Sequence, residues 1–211
     1  RSIGVVEGVY GFSWVDAAFE GSADHAGPTP MHLRHDALVA ASDVVGAVRR
    51  IAGTGGDDLV GTVGSIDAHP NSINVIPERV EFTLDFRSYD DDVVDRAVER
   101  ARREVEWAAE REGVDWEFEE IMRIGANPFA DECIEAVERA ARSVLGEDDH
   151  ARLVSGAGHD ASYLREICPT GMIFVPSVGG VSHVEEEYTE WADVVRGAAV
   201  LLEATLDMAN G

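Results

Sequence analysis

The chain has 211 residues, 45% of them hydrophobic, which is enough for one large domain or two smaller ones with real cores. The formal net charge is −24, and all 17 basic residues are arginine. Such an acidic chain would be repelled by nucleic-acid phosphates, and no apolar stretch approaches the roughly 20 residues that span a bilayer. We therefore expect a globular protein with neither nucleic acid nor membrane as a partner.

The first part of the chain begins with a short predicted strand, Ile3–Val9, and continues with the predicted order β-α-β-β-α-β. Alternating strand patterns and helical spacing give the strands Phe12–Phe19, Leu59–Ile66, Asn74–Arg87 and Val114–Met122 and the helices Asp36–Ile51, closed by Gly53, and Asp90–Gly113. The third of these strands alternates apolar and polar residues, which suits a sheet covered on one side only. This order is that of a ferredoxin-like fold, with two helices on one face of a four-stranded antiparallel sheet.

After residue 126 the pattern changes to alternating helix and strand, which indicates an α/β layer. We predict helices at Ala130–Leu145, Asp160–Ile167 and Thr189–Met208, an extended segment at Arg152–Val154, and a buried parallel strand at Thr170–Val175. The strand Ile3–Val9 is expected to join the same layer. The expected domains are therefore 1–10 with 123–211, a partial α/β domain, and 11–122, the ferredoxin-like domain.

The cysteines and the acidic surface bear on the environment of the protein. Cys133 and Cys168 form no Cys-x-x-Cys motif, so we expect two free, buried, reduced thiols and a cytoplasmic location. Carboxylates spread along amphipathic segments stay hydrated in concentrated salt, where screening removes their mutual repulsion, so we expect a halophilic protein. Because Arg1 leads directly into a strand, without Met or a signal peptide, we expect a fragment of a longer protein.

His25 lies on a stretch that continues neither as helix nor as strand. Gly27, Pro28 and Pro30 predict a fixed, irregular loop just before the first helix. A stiffened loop is a common means of holding an imidazole toward a ligand. The alternative is a surface histidine in an ordinary turn.

Two polar residues mark the ends of the half-polar strand, Asn74 at its start and Arg87 at its end. A guanidinium whose fork is free can hold a carboxylate through two parallel hydrogen bonds. The alternative is that Arg87 pairs with a neighbouring acid such as Asp85.

Two glycine-rich turns in the last third of the chain carry histidines. Gly158 and His159 precede a predicted helix, where backbone N–H groups can approach an anion, although Asp160 could instead be a plain N-cap. His183 follows the predicted buried strand, and in open α/β sheets ligands bind beyond the carboxyl ends of the strands. A neutral ring nitrogen there suits a metal ion, and a structural histidine is the alternative.

In combination these segments resemble one family of enzymes. It is the group of metal-dependent amidohydrolases that comprises N-carbamoyl-L-amino-acid hydrolases, allantoate amidohydrolases and β-ureidopropionases, within the superfamily of two-metal aminoacylases and carboxypeptidase G-like exopeptidases. The resemblance is carried by His25-Ala26-Gly27-Pro28-Thr29-Pro30-Met31 with Arg34 and Asp36-Ala37-Leu38, Pro70-Asn71 with Asn74-Val75-Ile76-Pro77, Asp85-Phe86-Arg87, Ser155-Gly156-Ala157-Gly158-His159-Asp160-Ala161, and Ser182-His183 through Glu187-Tyr188-Thr189.

The resemblance implies a ferredoxin-like lid and dimerisation domain inserted into a zinc-peptidase-like α/β catalytic domain. It implies a homodimer formed through the lid. We expect the edge strand Leu59–Ile66 and the helix Asp36–Ile51 at the interface, because an unpaired strand edge invites a partner strand. The implied substrate is a small carbamoyl or ureido compound, an N-carbamoyl-L-amino acid or allantoate.

The resemblance also implies roles for the candidate residues. His183 would be a ligand of a two-metal centre holding zinc or manganese. His25 would reach from the lid of one subunit into the active site of the other and stabilise the oxyanion there. Asn74, Arg87, Gly158 and His159 would contact substrate, Arg87 by holding its carboxylate.

Only one of the family's usual metal ligands, His183, is present, and the others would lie before Arg1. A closed site needs about four ligands per zinc, so we expect the chain alone to be inactive and metal-free or weakly occupied. The alternatives are an aminoacylase or dipeptidase of the wider superfamily and a non-catalytic dimerisation module.

Overall fold

The computed structural model describes residues 1–210, which divide into two compact units. We name Gly11–Ala126 the insert unit and Arg1–Tyr10 with 127–210 the flanking unit. In chain order the elements are β1 (Ile3–Val9), β2 (Gly11–Glu20), α1 (Ala37–Thr54), β3 (Val60–His69), β4 (Arg79–Ser88), α2 (Asp91–Glu112), β5 (Asp115–Ile124), β6 (Asn127–Pro128), α3 (Asp131–Leu145), β7 (His150–Ser155), α4 (Ala161–Leu164), β8 (Met172–Phe174) and α5 (Trp191–Asn210). No helix within residues 1–210 combines the length and apolarity that a membrane span requires.

The insert unit is a four-stranded antiparallel sheet in the order β3-β4-β2-β5, so the predicted β-α-β-β-α-β sequence of elements is found. Alternate residues of β4 are buried against the two helices: Val80, Phe82, Leu84 and Phe86. Both helices begin at an aspartate cap, and Asp36 accepts hydrogen bonds from the backbone N–H groups of Leu38 and Val39.

The flanking unit is built around β1. The strand β7 pairs with it in parallel, whereas β6 and β8 pair with it antiparallel. Apolar side chains of β1, α3 and α5 form its core, and over its 20 residues α5 buries only Gly197, Val200 and Ala204. The molecule is thus a mixed α/β protein.

Several predicted boundaries are wrong. The helix α1 continues through Gly53 to Thr54, because one glycine costs a helix only about 1 kcal/mol and does not stop it. The strand predicted from Asn74 begins at Arg79, since Pro77 has no N–H to donate to a ladder. The helix predicted at Asp160–Ile167 keeps helical bonding only over Ala161–Leu164.

Two predictions about burial are also wrong. The strand predicted as buried and parallel at Thr170–Val175 is the three-residue, half-buried and antiparallel β8, because an apolar run does not specify strand direction. Cys133 is buried, but Cys168 is exposed, since the turn after α4 carries it to the surface. Both cysteines are free, as predicted.

Candidate functional site

The structure places His25 on an exposed loop of the insert unit, beside the loop that carries Asn74. A single antiparallel bridge joins His25 to Val75, and the backbone N–H of Ala26 donates to the Asn74 carbonyl at 3.0 Å. The N–H of Ile76 donates to the Asp24 carbonyl at 2.9 Å. Two of the predicted site residues, far apart in sequence, are therefore neighbours.

Side chains fix the backbone of the His25 loop. The Asp24 carboxylate accepts from the N–H of His25 at 2.7 Å, and that bond is the main reason that the pKa of Asp24 lies below its ordinary value. The Thr29 hydroxyl donates to the His25 carbonyl at 2.7 Å. The guanidinium of Arg34 donates to the carbonyls of Ala26 and Thr29 at 2.8 and 3.1 Å. The prediction of a stiffened, irregular loop is confirmed.

The imidazole of His25 is held in a defined state. The N–H of Gly27 donates to its Nδ1 at 3.1 Å, so Nδ1 carries the lone pair and Nε2 carries the hydrogen. Because the ring is exposed, its Nε2–H is a donor available to a ligand. A fixed donor of this kind can stabilise an oxygen on which negative charge develops.

Arg87 is already paired within its own strand. Its Nε donates to Asp85 Oδ1 at 3.0 Å and its Nη2 to Oδ2 at 2.7 Å, and the guanidinium lies 5.4 Å from the centre of the Phe12 ring. The pairing with Asp85 raises the pKa of Arg87. The structure therefore shows the ion pair of Arg87 with Asp85, which was the alternative to a free guanidinium.

Arg87 also lies far from His25 within the insert unit. Glu20, which precedes the His25 loop, pairs with Arg79 at the start of β4, whereas Arg87 is at the end of that strand and pairs with Phe12. At about 3.3 Å per residue, the eight steps along β4 span roughly 25 Å. One copy of the insert unit does not bring these two predicted substrate-contacting groups together.

In the flanking unit, Gly158 and His159 lie in the turn between β7 and α4. The Nε2 of His159 is 2.8 Å from the hydroxyl of the buried Ser155, and the edge of its ring packs against Phe174 with centroids 5.4 Å apart. Gly158 is exposed, with open space around it. Asp160 occupies the N-cap position of α4, but its side chain makes no capping hydrogen bond.

His183 lies in an exposed turn after β8, with a positive φ of 61°. Its backbone N–H donates to Glu187 Oε2 at 2.8 Å, and the Ser182 hydroxyl is 3.2 Å from the same oxygen. Within residues 1–210 no group of three histidine, cysteine or acidic side chains is placed to hold a metal ion. One imidazole does not fit a two-metal centre, which needs about four ligands per zinc.

Two hydrogen-bonded contacts in these turns could not be predicted from residue spacing. The hydrogen bond between Ser155 and His159 forms across an irregular turn, and no periodic pattern marks it. The Glu187 carboxylate anchors the His183 turn, although it belongs to an acidic run that resembles an ordinary solvated surface.

Comparisons with known proteins place these features in context. A model of the peptidase family M20/M25/M40 matches residues 5–207. The chain is 38% identical over 200 residues to the N-carbamoyl-L-amino-acid amidohydrolase of Paenarthrobacter aurescens, covering 95% of this chain and 48% of that protein. It is 33% identical over 211 residues to the allantoate amidohydrolase of Bacillus subtilis, covering 99% and 50%.

Solved structures agree with these matches. The structure of a hydantoinase/carbamoylase family amidase from Burkholderia multivorans is similar with a TM-score of 0.90 and 44% identity, covering 97% of this chain and 49% of that one. The chain thus spans about half the length of the relatives it matches.

Proposed function

This chain belongs to the peptidase family M20/M25/M40, and from that premise we propose that the intact protein hydrolyses a linear carbamoyl or ureido amide bond. The substrate would be an N-carbamoyl-L-amino acid or allantoate. Relatives that bear these names and align with nearly the whole chain support the proposal. In this proposal the insert unit is the lid and dimerisation domain, and the flanking unit is part of the catalytic domain. The two unpaired cysteines suit a cytoplasmic location.

The observation that carries the proposal is the fixed state of His25. Its Nε2–H is a donor whose orientation is set by the Gly27 N–H on the opposite ring nitrogen. Hydrolysis of an amide bond places negative charge on the former carbonyl oxygen, and one preorganised donor contributes about 3–4 kcal/mol to such a transition state. His25 would donate to that oxygen, and Asn74, on the adjoining loop, would contact the same substrate.

In this proposal Arg87 binds the carboxylate of the substrate, as a bidentate guanidinium can. Its present partner Asp85 holds the guanidinium fork in place until substrate exchanges with it. Gly158 and His159 would contact substrate from the flanking unit.

The separation of Arg87 from His25 supports a homodimer. The His25 loop adjoins the Arg79 end of β4 and Arg87 is at the other end, roughly 25 Å along the strand, which a small ureido compound cannot span. His25 of one subunit would therefore serve a site that holds Arg87 of the other. The strand β3 lies at an edge of its sheet, and α1 exposes Leu38, Val39 and Val45. We propose that this edge and this helix face form the dimer interface.

Amidohydrolases of the M20 family are generally metal-dependent. We propose two divalent ions, zinc or manganese, with His183 among their ligands. His183 does not complete a metal site with other groups among the described residues. The roles proposed for His25, Asn74 and Arg87 are hydrogen bonds made by their own side chains.

The test is ammonia release by the intact protein from N-carbamoyl-L-amino acids and from allantoate, with Mn²⁺ or Zn²⁺ added. Release from either substrate supports the proposal. Hydrolysis confined to N-acetyl amino acids or dipeptides would instead identify an aminoacylase or dipeptidase, and a stable dimer without any turnover would identify a dimerisation module. We expect residues 1–211 alone to be inactive, and activity from them would contradict the argument from missing metal ligands.

A further inference from the structure

Ser155 is a buried residue whose hydroxyl has three close neighbours at the end of β7. Ser155 is only 3% exposed. Its Oγ is 3.0 Å from the carbonyl oxygen of Ala157, 3.2 Å from the N–H of the same residue, and 2.8 Å from His159 Nε2. A hydroxyl has one hydrogen to donate and two lone pairs that accept.

These three contacts are all satisfied in only one arrangement. The Ala157 carbonyl can only accept, so the hydroxyl hydrogen goes to it, and the Ala157 N–H can only donate, so it uses one lone pair of Oγ. The second lone pair then faces His159, and the 2.8 Å contact is a hydrogen bond when Nε2 carries the hydrogen. In the neutral ring, Nδ1 is therefore the acceptor.

The Nδ1 atom of His159 is open to a ligand. The ring is half-buried, and no hydrogen bond from any group within residues 1–210 reaches its Nδ1. Phe174 contacts the ring edge-on and limits its rotation. His159 thus presents an acceptor in the flanking unit, whereas His25 presents a donor in the insert unit.

We propose that Ser155 is a positioning residue that holds His159 in the Nε2–H tautomer, so that Nδ1 accepts a hydrogen bond from an N–H group of the substrate. The proposal rests on the proposed function for the identity of that substrate. A carbamoyl or ureido group carries N–H donors beside its carbonyl acceptor, and a single kind of protein group cannot satisfy both. The acceptor of His159 suits the N–H side of such a group.

The tautomer can be measured without substrate, by NMR of the intact protein labelled with ¹⁵N in histidine. The signal of His159 is identified by its loss in the variant His159→Gln. We expect a single tautomer with hydrogen on Nε2, a mixture of tautomers in Ser155→Ala, and recovery of the single tautomer in Ser155→Thr, which keeps the hydroxyl. Hydrogen on Nδ1 in the unaltered protein, or an unchanged tautomer in Ser155→Ala, would overturn the proposal.

Steady-state kinetics of the same variants test the consequence for the substrate. We expect Ser155→Ala to raise KM by about threefold to tenfold with kcat nearly unchanged, the effect of weakening one hydrogen bond made in the bound state. The control is Thr205→Ala, which removes a hydroxyl that donates to the Leu201 carbonyl of α5 at 2.7 Å and touches no imidazole. An equal KM for Ser155→Ala and the control would contradict the role. Absence of turnover on every carbamoyl and ureido substrate would defeat the proposed function, while the tautomer measurement would still decide the role of Ser155.

Discussion

The two units of this protein differ in how completely they bury their apolar residues. In the insert unit both helices lie on one face of the sheet, and the large residues of β4, such as Phe82 and Phe86, are almost fully buried. In the flanking unit, α5 exposes large apolar side chains along most of its length, namely Trp191, Val194, Val195, Leu201, Leu202, Leu206 and Met208. The strand β8 beside it is only half-buried.

Burial of apolar surface therefore stabilises the two units to different degrees. A helix or sheet gains free energy by removing apolar surface from water, at about 25 cal/mol per Å². In the insert unit the inner face of β4 gains this free energy against the two helices, whereas α5 leaves much of its apolar surface exposed among the described residues. The insert unit is therefore the part in which single substitutions should have the largest effects on stability.

The largest expected effect is loss of a fully buried ring. Phe86→Ala should destabilise the insert unit by about 3–5 kcal/mol, because it removes a large apolar side chain and leaves a cavity. The matched change in the flanking unit, Leu201→Ala, removes a side chain that is 59% exposed and should cost less than about 0.5 kcal/mol. Urea unfolding of both variants measures the two free energies, and similar losses would remove the distinction between the units.

The next effect concerns activity. His25→Ala should lower kcat on a carbamoyl or ureido substrate by about 100-fold to 1,000-fold, the usual effect of deleting one oxyanion donor. The melting temperature should stay unchanged, because the ring is exposed. The control is His32→Ala, since this neighbouring imidazole is also exposed and takes part in no hydrogen bond described for the loop. If both variants lose activity equally, the role of His25 is wrong.

Substitutions of glycine should change the stability of the two units by smaller amounts. A Cβ at Gly11 would lie 2.6 Å from the Ala126 nitrogen and 2.7 Å from Asp91 Oδ1, so Gly11→Ala should cost about 1–3 kcal/mol. At Gly197 the clash is with the side-chain tip of the partly exposed Val175, which can move, so the loss should be below about 1 kcal/mol. Gly53→Ala meets no atom within 4 Å and should stabilise α1 by about 0.5–1 kcal/mol. Thermal unfolding that ranks Gly197→Ala as more harmful than Gly11→Ala would contradict this account.

An acid-dependent contribution is expected in the flanking unit. The hydrogen bond from Arg152, 2.8 Å long, is the main reason that the pKa of Glu138 lies below its ordinary value of 4.5. Because the folded state favours the ionised form, this contribution is present above about pH 4.5 and is lost as the pH falls through the lower, folded value. Glu138→Gln should be less stable than the unaltered protein by about 1 kcal/mol at pH 7, and the difference should vanish once the pH is below the folded pKa of Glu138. A difference that persists in acid would show that packing, not charge, is responsible.

The smallest effect per residue is that of surface charge. Arg79 lies among three carboxylates of the insert unit, those of Glu20, Glu81 and Glu117, at 3.0 to 3.5 Å. Arg79→Gln should lower stability by less than about 1 kcal/mol in dilute buffer and by less still in molar KCl, where screening weakens the repulsion among the acids.

The unaltered protein, with its charge of −24, should itself melt at a higher temperature in molar KCl. Equal melting temperatures in both solutions would contradict the expectation of a halophilic protein.

Local patterns predicted much of the secondary structure. The strand Ile3–Val9 has the predicted bounds, and the alternation in β4 placed Phe82, Leu84 and Phe86 on the buried face. These predictions succeeded because side chains alternate across a strand and only one face of this sheet is covered. The direction of β8 was missed, because strand pairing depends on residues more than 160 positions away.

The candidate site was also predicted only in part. Glycine and the two prolines predicted the stiff loop at His25, since they restrict the backbone wherever they occur. The pairing of Arg87 with Asp85 was weighed as an alternative, and its choice over a free guanidinium depended on side-chain geometry. The hydrogen bond from Ser155 that orients His159 had no counterpart in spacing or composition.

Residue type and short-range spacing were sufficient to predict most strands and helices, the stiff loop at His25, and the motifs that resemble those of a carbamoyl-amide hydrolase. Three features required the folded chain: the contact between the His25 and Asn74 loops, the position of Arg87 at the opposite end of β4, and the nitrogen of each imidazole that is left without a protein partner. Backbone contacts between segments distant in sequence fix the first two features. The third depends on short-range hydrogen bonds across irregular turns, which form only once the folded chain holds those turns in place.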